Sequence, residues 1–372
     1  MDFGDSAELA EFRTSLREWL KDNKIEQLPG EDYPTMLLRW NRILAGGGWV
    51  GLSWPPQYGG RGLGPEYEAI VNEEIGIAGA PEAPRVGYLG RAILEYGTEE
   101  QKERFLPGLL DGSESWCQGF SEPGAGSDLA SLTTKAVLDG DDYVINGQKV
   151  WTSYAEYADF CLLLARIGSP EERHKGVAAF ILPMKAMGVD VRPLRAITDE
   201  SEFCEVFLSD VRIPADMRIG GDGDGWRIAM MTVAYERGAA DVGYLSKFST
   251  VVTKLEASLA SREHRDASLE DRLRETKVVL SILKYHVRRR FSVRQLADSP
   301  PGAEMSVDKM LMTYVDQTLH ENALEIIGPD CLRARGENEW FRKFLYSRAA
   351  SIYGGSTQIQ FNIIARRILG LP

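Results

Sequence analysis

An apolar helical run, IAMMTVAYERGAADVGYL at 228–245, is interrupted by Glu236-Arg237 and resumes at Val242, Tyr244 and Leu245. A carboxylate on a helix that otherwise reads as core sits in a water-poor place, where burial disfavours its charged form and raises its pKa. Such a group suits proton abstraction near neutral pH. A Glu beside an Arg is more commonly a solvated helix residue, because adjacent helix positions do not face each other. The apolar run before Glu236 keeps the first reading open beside the second.

A second candidate is GFSEPGAGSDLA, Gly119 to Ala130. Gly124, Ala125 and Gly126 let a ligand approach the backbone, and Ser121 and Ser127 supply hydroxyls. Alone, the stretch reads equally well as a Pro-Gly turn ending a strand. KVWTS, Lys149 to Ser153, strengthens it. On a strand Trp151 and Ser153 share a face, giving an aromatic plane with a hydroxyl for a flat, hydrogen-bonding heterocycle. GGDGDG, Gly220 to Gly225, has the glycines of a phosphate loop. Its aspartates would repel phosphate, no Lys follows, and its calcium spacing is incomplete, so it reads as a hinge.

Three regions position these residues: 1–115, 116–222 and 223–372. The first is helical, with an apolar stripe of Leu9, Phe12, Leu16, Trp19 and Leu20. It also holds a capping box at Thr98 and Gln101 that opens a helix closing on Gly112. GGGWVGLSWPPQYGGRGLGP reads as a long ordered loop between helices. The middle region alternates with period two. DDYVINGQKVWTS reads as a hairpin about Asn146-Gly147, followed by strands in FCLLLARI, GVAAFILP, DVRPL and CEVFLSDVRIP. The last region carries long amphipathic segments at roughly 225–262, 270–297, 303–327 and 338–369. The fold class is α+β: an N-terminal helical domain, a central, mostly antiparallel β-domain and a C-terminal four-helix bundle.

The net charge of −12 disfavours nucleic acid as a partner. The basic run His286 to Arg290 reads as a solvated or inter-subunit helix face. Four scattered cysteines read as reduced packing residues, and four scattered histidines give no metal-ligand spacing. No apolar run is long enough to span a membrane and the N-terminus is acidic, so the expected location is the cytoplasm.

FSEPGAGSDLASLTTKAVLDGDDYVINGQKVWTS, GWVGLSWPPQYGG and SIYGGSTQIQFNIIARRILG, in this order, resemble the acyl-CoA dehydrogenase family along essentially the whole chain. The resemblance implies the same three-domain fold and an FAD cofactor. It implies an acyl-CoA substrate oxidised to a trans-2-enoyl-CoA: a glutamate takes the α-proton while the β-hydrogen passes as hydride to flavin N5. Many members carry that glutamate near the C-terminus, where this chain has Gly354 within Tyr353-Gly354-Gly355-Ser356. Some members carry Gly or Ala there and place the base on the first helix of the final bundle, an arrangement that Glu236 beside Arg237 resembles. The resemblance puts Gln118, Phe120 and Ser121 against the isoalloxazine, followed by Gly126 and Ser127, with Ser127 also facing the CoA arm. Trp151 and Ser153 pack against and bond the ring, and Ser356 and Gln358 complete the cofactor contacts. Arg237, Tyr353 and Gly354 fall on the substrate side, with the Gly354 N–H donating to the thioester carbonyl. An electron-transfer flavoprotein is the implied acceptor.

The family's tetramers also grip each flavin with a neighbouring subunit's Arg and Gln. Here SLASREHRDASLEDR stands in the arginine's stretch, and LEIIGPD puts Glu325 where Gln is usual. A carboxylate beside a pyrophosphate is unfavourable. The pattern resembles one partner of the bacterial α2β2 dehydrogenases, which often act on steroid-CoA side chains; a homotetramer is the alternative. Flavin monooxygenases and nitroalkane oxidases share the fold but generally alter the base. A non-catalytic scaffold completing a partner's site is the non-enzyme reading. The acyl group itself is not legible. The pocket floor falls in 66–90 and 228–245, where Ala78, Gly79, Ala80, Gly238, Ala239 and Ala240 suit a wide pocket or a tight helix crossing equally.

Overall fold

The computed structural model describes residues 4–84, 86–236, 240–262, 266–297, 302–329, 331 and 339–372; the side chains of Glu236, Ala240, Asp241 and 294–297 lie outside that description. The N-terminal region contains α1 (Ala7–Asp22), α2 (Tyr33–Gly46), α3 (Pro65–Ala78), α4 (Val86–Tyr96) and α5 (Glu99–Asp111). The Thr98/Gln101 capping box forms, and Gly112 ends α5 in the left-handed conformation. The Gly- and Pro-rich connection between α2 and α3 is ordered by its own apolar residues, with Val50, Leu52, Trp54 and Tyr58 buried. A Cβ at Gly60 would lie 2.1 Å from the Trp54 carbonyl oxygen, so only glycine closes this loop.

The β-domain comprises β1 (Trp116–Gly119), β2 (Lys135–Asp139), β3 (Asp142–Ser153), β4 (Phe160–Arg166), β5 (Val177–Pro183), β6 (Val189–Leu194), β7 (Phe203–Pro214) and β8 (Arg218–Ile219). The sheet order is β6-β7-β3-β2-β4-β5-β8, with β1 beside β4. Pairing is antiparallel except for β1 with β4 and β2 with β4.

One sequence expectation fails here. Asn146-Gly147 is not a hairpin turn: β3 runs straight through it, and the β2–β3 turn lies at Gly140-Asp141. The pair instead marks a register shift against β7. Gly147 is needed because a Cβ there would fall 2.5 Å from the Thr134 hydroxyl, while the Asn146 amide donates to Asp210 at 3.0 Å. A second shift, between Lys149 and Thr152, puts Trp151 at a φ of 61°. Burial still alternates beyond it, through exposed Trp151, buried Thr152 and half-buried Ser153.

Gly220 to Gly225 links β8 to α6 (Asp224–Glu236). A Cβ at Gly225 would meet the Val177 carbonyl oxygen at 2.3 Å, so α6 begins pressed on β5. The last region continues with α7 (Ala240–Ala260), α8 (Ala267–Ala297), α9 (Met305–Ile327), α10 (Glu339–Ser347) and α11 (Thr357–Ile363). The expected long helix over 338–369 is broken. A 3-10 turn follows α10, and Gly354 and Gly355 take φ values of 62° and 92°, which end the helical path. Of the small residues expected at the pocket floor, Gly238, Ala239 and the Ala240 side chain lie outside the described residues, and the tight crossing falls at a position not among them. A Cβ at Gly76 would lie 2.7 Å from the Gly243 carbonyl oxygen, a tight α3–α7 crossing, whereas Gly79 and Ala80 line a cavity.

The basic run is only partly solvated. Arg288 and Arg289 are exposed, but Arg290 is buried, and with His286 it meets the buried carboxylate of Asp308 at 2.5 Å. The helix turns its third arginine inward because α9 offers a carboxylate there. All four cysteines are buried and free.

Candidate active site

The SEPGAGSD loop starts where β1 ends. Its Pro123-Gly124 turn is closed by two hydrogen bonds of 3.0 Å between the Glu122 and Ala125 backbones. The turn reading is therefore realised. What holds the loop is a pair that the sequence analysis did not single out. Lys149, on β3, is fully buried, and its Nζ lies 2.7 Å from Glu122 Oε1 and 3.2 Å from the Phe120 carbonyl oxygen, donating to both. The same carboxylate accepts from the N–H groups of Thr133 at 2.6 Å and Thr134 at 2.9 Å and from the Thr133 hydroxyl at 2.8 Å. Burial pushes the Glu122 pKa up, but the Lys149 charge and these donors prevail and bring it to about 2. Burial also lowers the Lys149 pKa. Arg166 anchors the loop's far end by donating to the Ala130 carbonyl at 2.6 Å and the Leu132 carbonyl at 3.0 Å. The signal that could have exposed this scaffold is a Glu and a Lys inside two strand-adjacent motifs, where neither has reason to be apolar-facing unless paired.

Above this scaffold the exposed and half-buried members of the expected cofactor set make an open face, from which Phe120 is withdrawn into the core. Gln118, Ser121 and Ser153 are half-buried, Phe120 is buried, and Gly126, Ser127 and Trp151 are exposed. Val150 N–H donates to the Ser121 carbonyl at 2.9 Å, which joins the loop to the strand carrying Trp151 and Ser153. No atom lies within 4 Å of the place a Cβ would occupy at Gly124 or Gly126. The face is completed from the last region, where Ser127 Oγ and Ser356 Oγ are 3.4 Å apart across 229 residues of chain. Ser356 opens α11, and exposed Gln358 follows it. Open glycines, an accessible indole and hydroxyls from two domains fit a flat ring with a polar edge.

Tyr353, Gly354 and Gly355 form the turn beside this face. Gln360 of α11, fully buried, donates to the Gly354 carbonyl at 3.2 Å and the Gly355 carbonyl at 3.0 Å. From α9, Lys309 Nζ and Thr313 Oγ1 both donate to the Ala350 carbonyl, at 2.7 and 3.1 Å. Gln360→Leu removes both donors to the turn and is expected to cost about 1–3 kcal/mol in thermal or urea unfolding, because two carbonyls lose buried partners.

A cavity of about 960 Å³ opens where the three regions meet. The N-terminal helices contribute Gly79, Ala80 and Leu89, the β-domain Tyr154 and Tyr157, and the final region Tyr244, Phe248, Lys309 and Tyr353. Of the residues expected on the substrate side, Tyr353 lines it; Ser127 does not, and Gly354 is the half-buried chain neighbour of Tyr353. Glu236 is the last residue of α6, and its side chain, like all of Arg237, lies outside the described residues. Among the described residues no cluster of His, Cys, Asp or Glu could hold a metal ion, and no helix is long and apolar enough to cross a membrane.

Comparison with known proteins agrees with this architecture region by region. The acyl-CoA dehydrogenase N-terminal domain matches residues 6–113, the middle domain 117–211 and the C-terminal domain 223–369. The chain belongs to the acyl-CoA dehydrogenase family, whose members are FAD-dependent oxidoreductases. It is 40% identical to the acyl-CoA dehydrogenase IpdE1 of Mycobacterium tuberculosis H37Rv, over 98% of each chain. The acyl-CoA dehydrogenase FadE34 of the same strain is 38% identical over 88% of this chain and 45% of that protein. Similar solved structures include the ChsE4-ChsE5 complex from Mycobacterium tuberculosis, at 28% identity and a TM-score of 0.87, covering 100% of both chains. The Tcur3481-Tcur3483 steroid ACAD has 27% identity and a TM-score of 0.86, again over 100% of both chains.

Proposed function

We propose that this acyl-CoA dehydrogenase removes the α-proton of its thioester substrate with Glu236. The observation that carries this reading is the turn at Gly354. It stands beside the open face and the inter-domain cavity with no side chain of its own, so the base must enter from another element. α6 ends in a carboxylate. The Gly354 N–H, held in a turn that Gln360 braces, is the donor assigned to the thioester carbonyl, polarising it so that the α-proton becomes acidic. Trp151, Ser153, Gly126, Ser127, Ser356, Gln358, Gln118, Phe120 and Ser121 would hold FAD, which when bound supplies the hydride acceptor. Lys149 and Glu122 keep that face in place, and misplacement of about 1 Å can cost 10²-fold in rate. An electron-transfer flavoprotein is the proposed acceptor.

The heteromeric reading is favoured by a separate observation. Arg272 donates to the Glu325 carboxylate at 2.9 Å, and Arg262 donates to the Glu325 and Ile326 carbonyls at 2.9 and 2.6 Å. Both arginines described in the stretch where a neighbour-gripping Arg is expected are thus engaged by the end of α9. Glu325, its pKa lowered by the bond from Arg272, stays an anion where the family keeps an amide. On α8, Val278, Ile282 and Tyr285 form an exposed apolar stripe at helical spacing, suited to another subunit. Two of the similar structures are named as two-component complexes, one of them a steroid ACAD. Expressed alone, the chain is expected to carry well under one FAD per subunit, and co-expression with its partner chain should restore the visible flavin band. A fully loaded homotetramer from this chain alone would overturn the heteromeric reading.

A further inference from the structure

We propose that Arg91, on α4, is a positioning residue for the base: by holding Tyr235 it fixes the last turn of α6, whose final residue is Glu236. The inference rests on the reading of Glu236 as the base and adds the group that places it.

α6 is held firmly at its start and loosely at its end. Gly225 presses on β5, and Ile228, Ala229 and Thr232 are fully buried. Val233, Ala234 and Tyr235 are only half-buried. The last carbonyls of a helix have no intrahelical partner, and a terminal turn with little burial opens easily. A general base tolerates no such freedom, since a misplacement of about 1 Å can cost about 10²-fold in rate.

Arg91 reaches this turn from a helix 144 residues earlier in the chain. Its Nη2 donates to the Tyr235 hydroxyl at 3.3 Å, and its Cζ lies 4.8 Å from the centroid of the Tyr235 ring. A hydrogen bond and a cation–π contact thus act on one side chain. The cation also lies beside the last turn of α6, where the helix dipole is negative. Glu95, one turn along α4, orients the guanidinium, with its Oε1 3.1 Å from Arg91 Nε. α4 itself is well anchored, because Leu89, Ala92 and Ile93 are buried in the core that also takes in Ile228 and Ala229 of α6. Val86 and Leu89 of α4 line the inter-domain cavity. The helix that walls the cavity therefore also carries the residue that sets the end of the base's helix.

The test uses the holoenzyme, co-expressed with its partner chain where FAD loading requires it, and compares the wild type with Arg91→Met and Arg91→Lys. Hydrogen–deuterium exchange, which needs no substrate, follows the amides of α6. In Arg91→Met the last turn should exchange about 10-fold faster or more, while α4 and β5 are unchanged. Octanoyl-CoA is the probe for rate. Anaerobic bleaching at saturation should slow by about 10- to 10²-fold with the dissociation constant unchanged, the split expected when a base is displaced and binding is intact. Arg91→Lys keeps a charge over the ring and should recover part of both effects. Arg91→Met combined with Tyr235→Leu should be no worse than the worse single variant, because both remove the same contact. Arg91→Gln repeats the test should the Met variant fail to fold. Unchanged exchange in the last turn, or weaker octanoyl-CoA binding at an unchanged saturating rate, would overturn the proposal. If Glu236→Gln bleaches at the wild-type rate, the reading of Glu236 as the base fails, while exchange still decides whether Arg91 holds the end of α6.

Discussion

Glu236→Gln is expected to leave FAD bound and to slow anaerobic bleaching of the flavin by acyl-CoA by about 10²–10⁴-fold, the usual worth of a positioned general base. The substitution keeps the side chain's size and removes only its capacity to take a proton. The fall should appear in kcat and kcat/KM together, because the interaction is made only as the proton moves. Stopped-flow absorbance at the flavin band measures the step directly, and the resting spectrum reports the bound cofactor. An unchanged bleaching rate would mean that Glu236 is a solvated helix residue. In that case the chain either draws its base from another element or serves as a scaffold for a partner's site. Glu236→Asp, which retracts the carboxylate by one methylene, should fall between the two because reach matters as well as basicity.

The second large effect concerns stability. Lys149→Met strands the Glu122 carboxylate in the interior, and Glu122→Gln strands the ammonium. Removing one partner of a buried pair costs about 3–5 kcal/mol. Each single variant should therefore unfold at lower urea and lose flavin, because the Phe120 carbonyl, Glu122 and the Thr133–Thr134 segment are bound through this pair. The double replacement Glu122→Leu with Lys149→Met leaves no uncompensated charge and should recover much of the stability. It should not recover full FAD retention, since the loop's tethers are gone. A double variant no more stable than the singles would show that hydrogen bonding to the loop, not charge pairing, dominates. The pH dependence has a definite sign. The Glu122 pKa falls from 4.5 to about 2 on folding, so its contribution is present above the higher value and lost as pH drops toward the lower one. Acid titration of stability should lose this component in Glu122→Gln between those two limits.

The sequence by itself determined the order of the three regions, the segments that become β3 to β7, the capped α5, the ordered loop around Trp54 and the motifs whose exposed members make up the open face. These are local statements, carried by period, capping residues and the conformations open to Gly and Pro, and they do not depend on what packs against them. Only the tertiary structure decided the rest. Asn146-Gly147 has the composition of a hairpin, yet β7 pairs along β3 on both sides of it and Thr134 occupies the space a side chain would need. Lys149, Glu122, Gln360 and Lys309 read as polar residues within amphipathic patterns, and their roles arise from hydrogen-bond partners up to 41 residues away, the separation between Lys309 and Ala350. The meeting of Ser127 with Ser356, and the cavity between three regions, exist only once the helices have packed. A hydrogen-bonding group has no preferred partner in sequence; burial forces one upon it, and the fold determines which group is within reach.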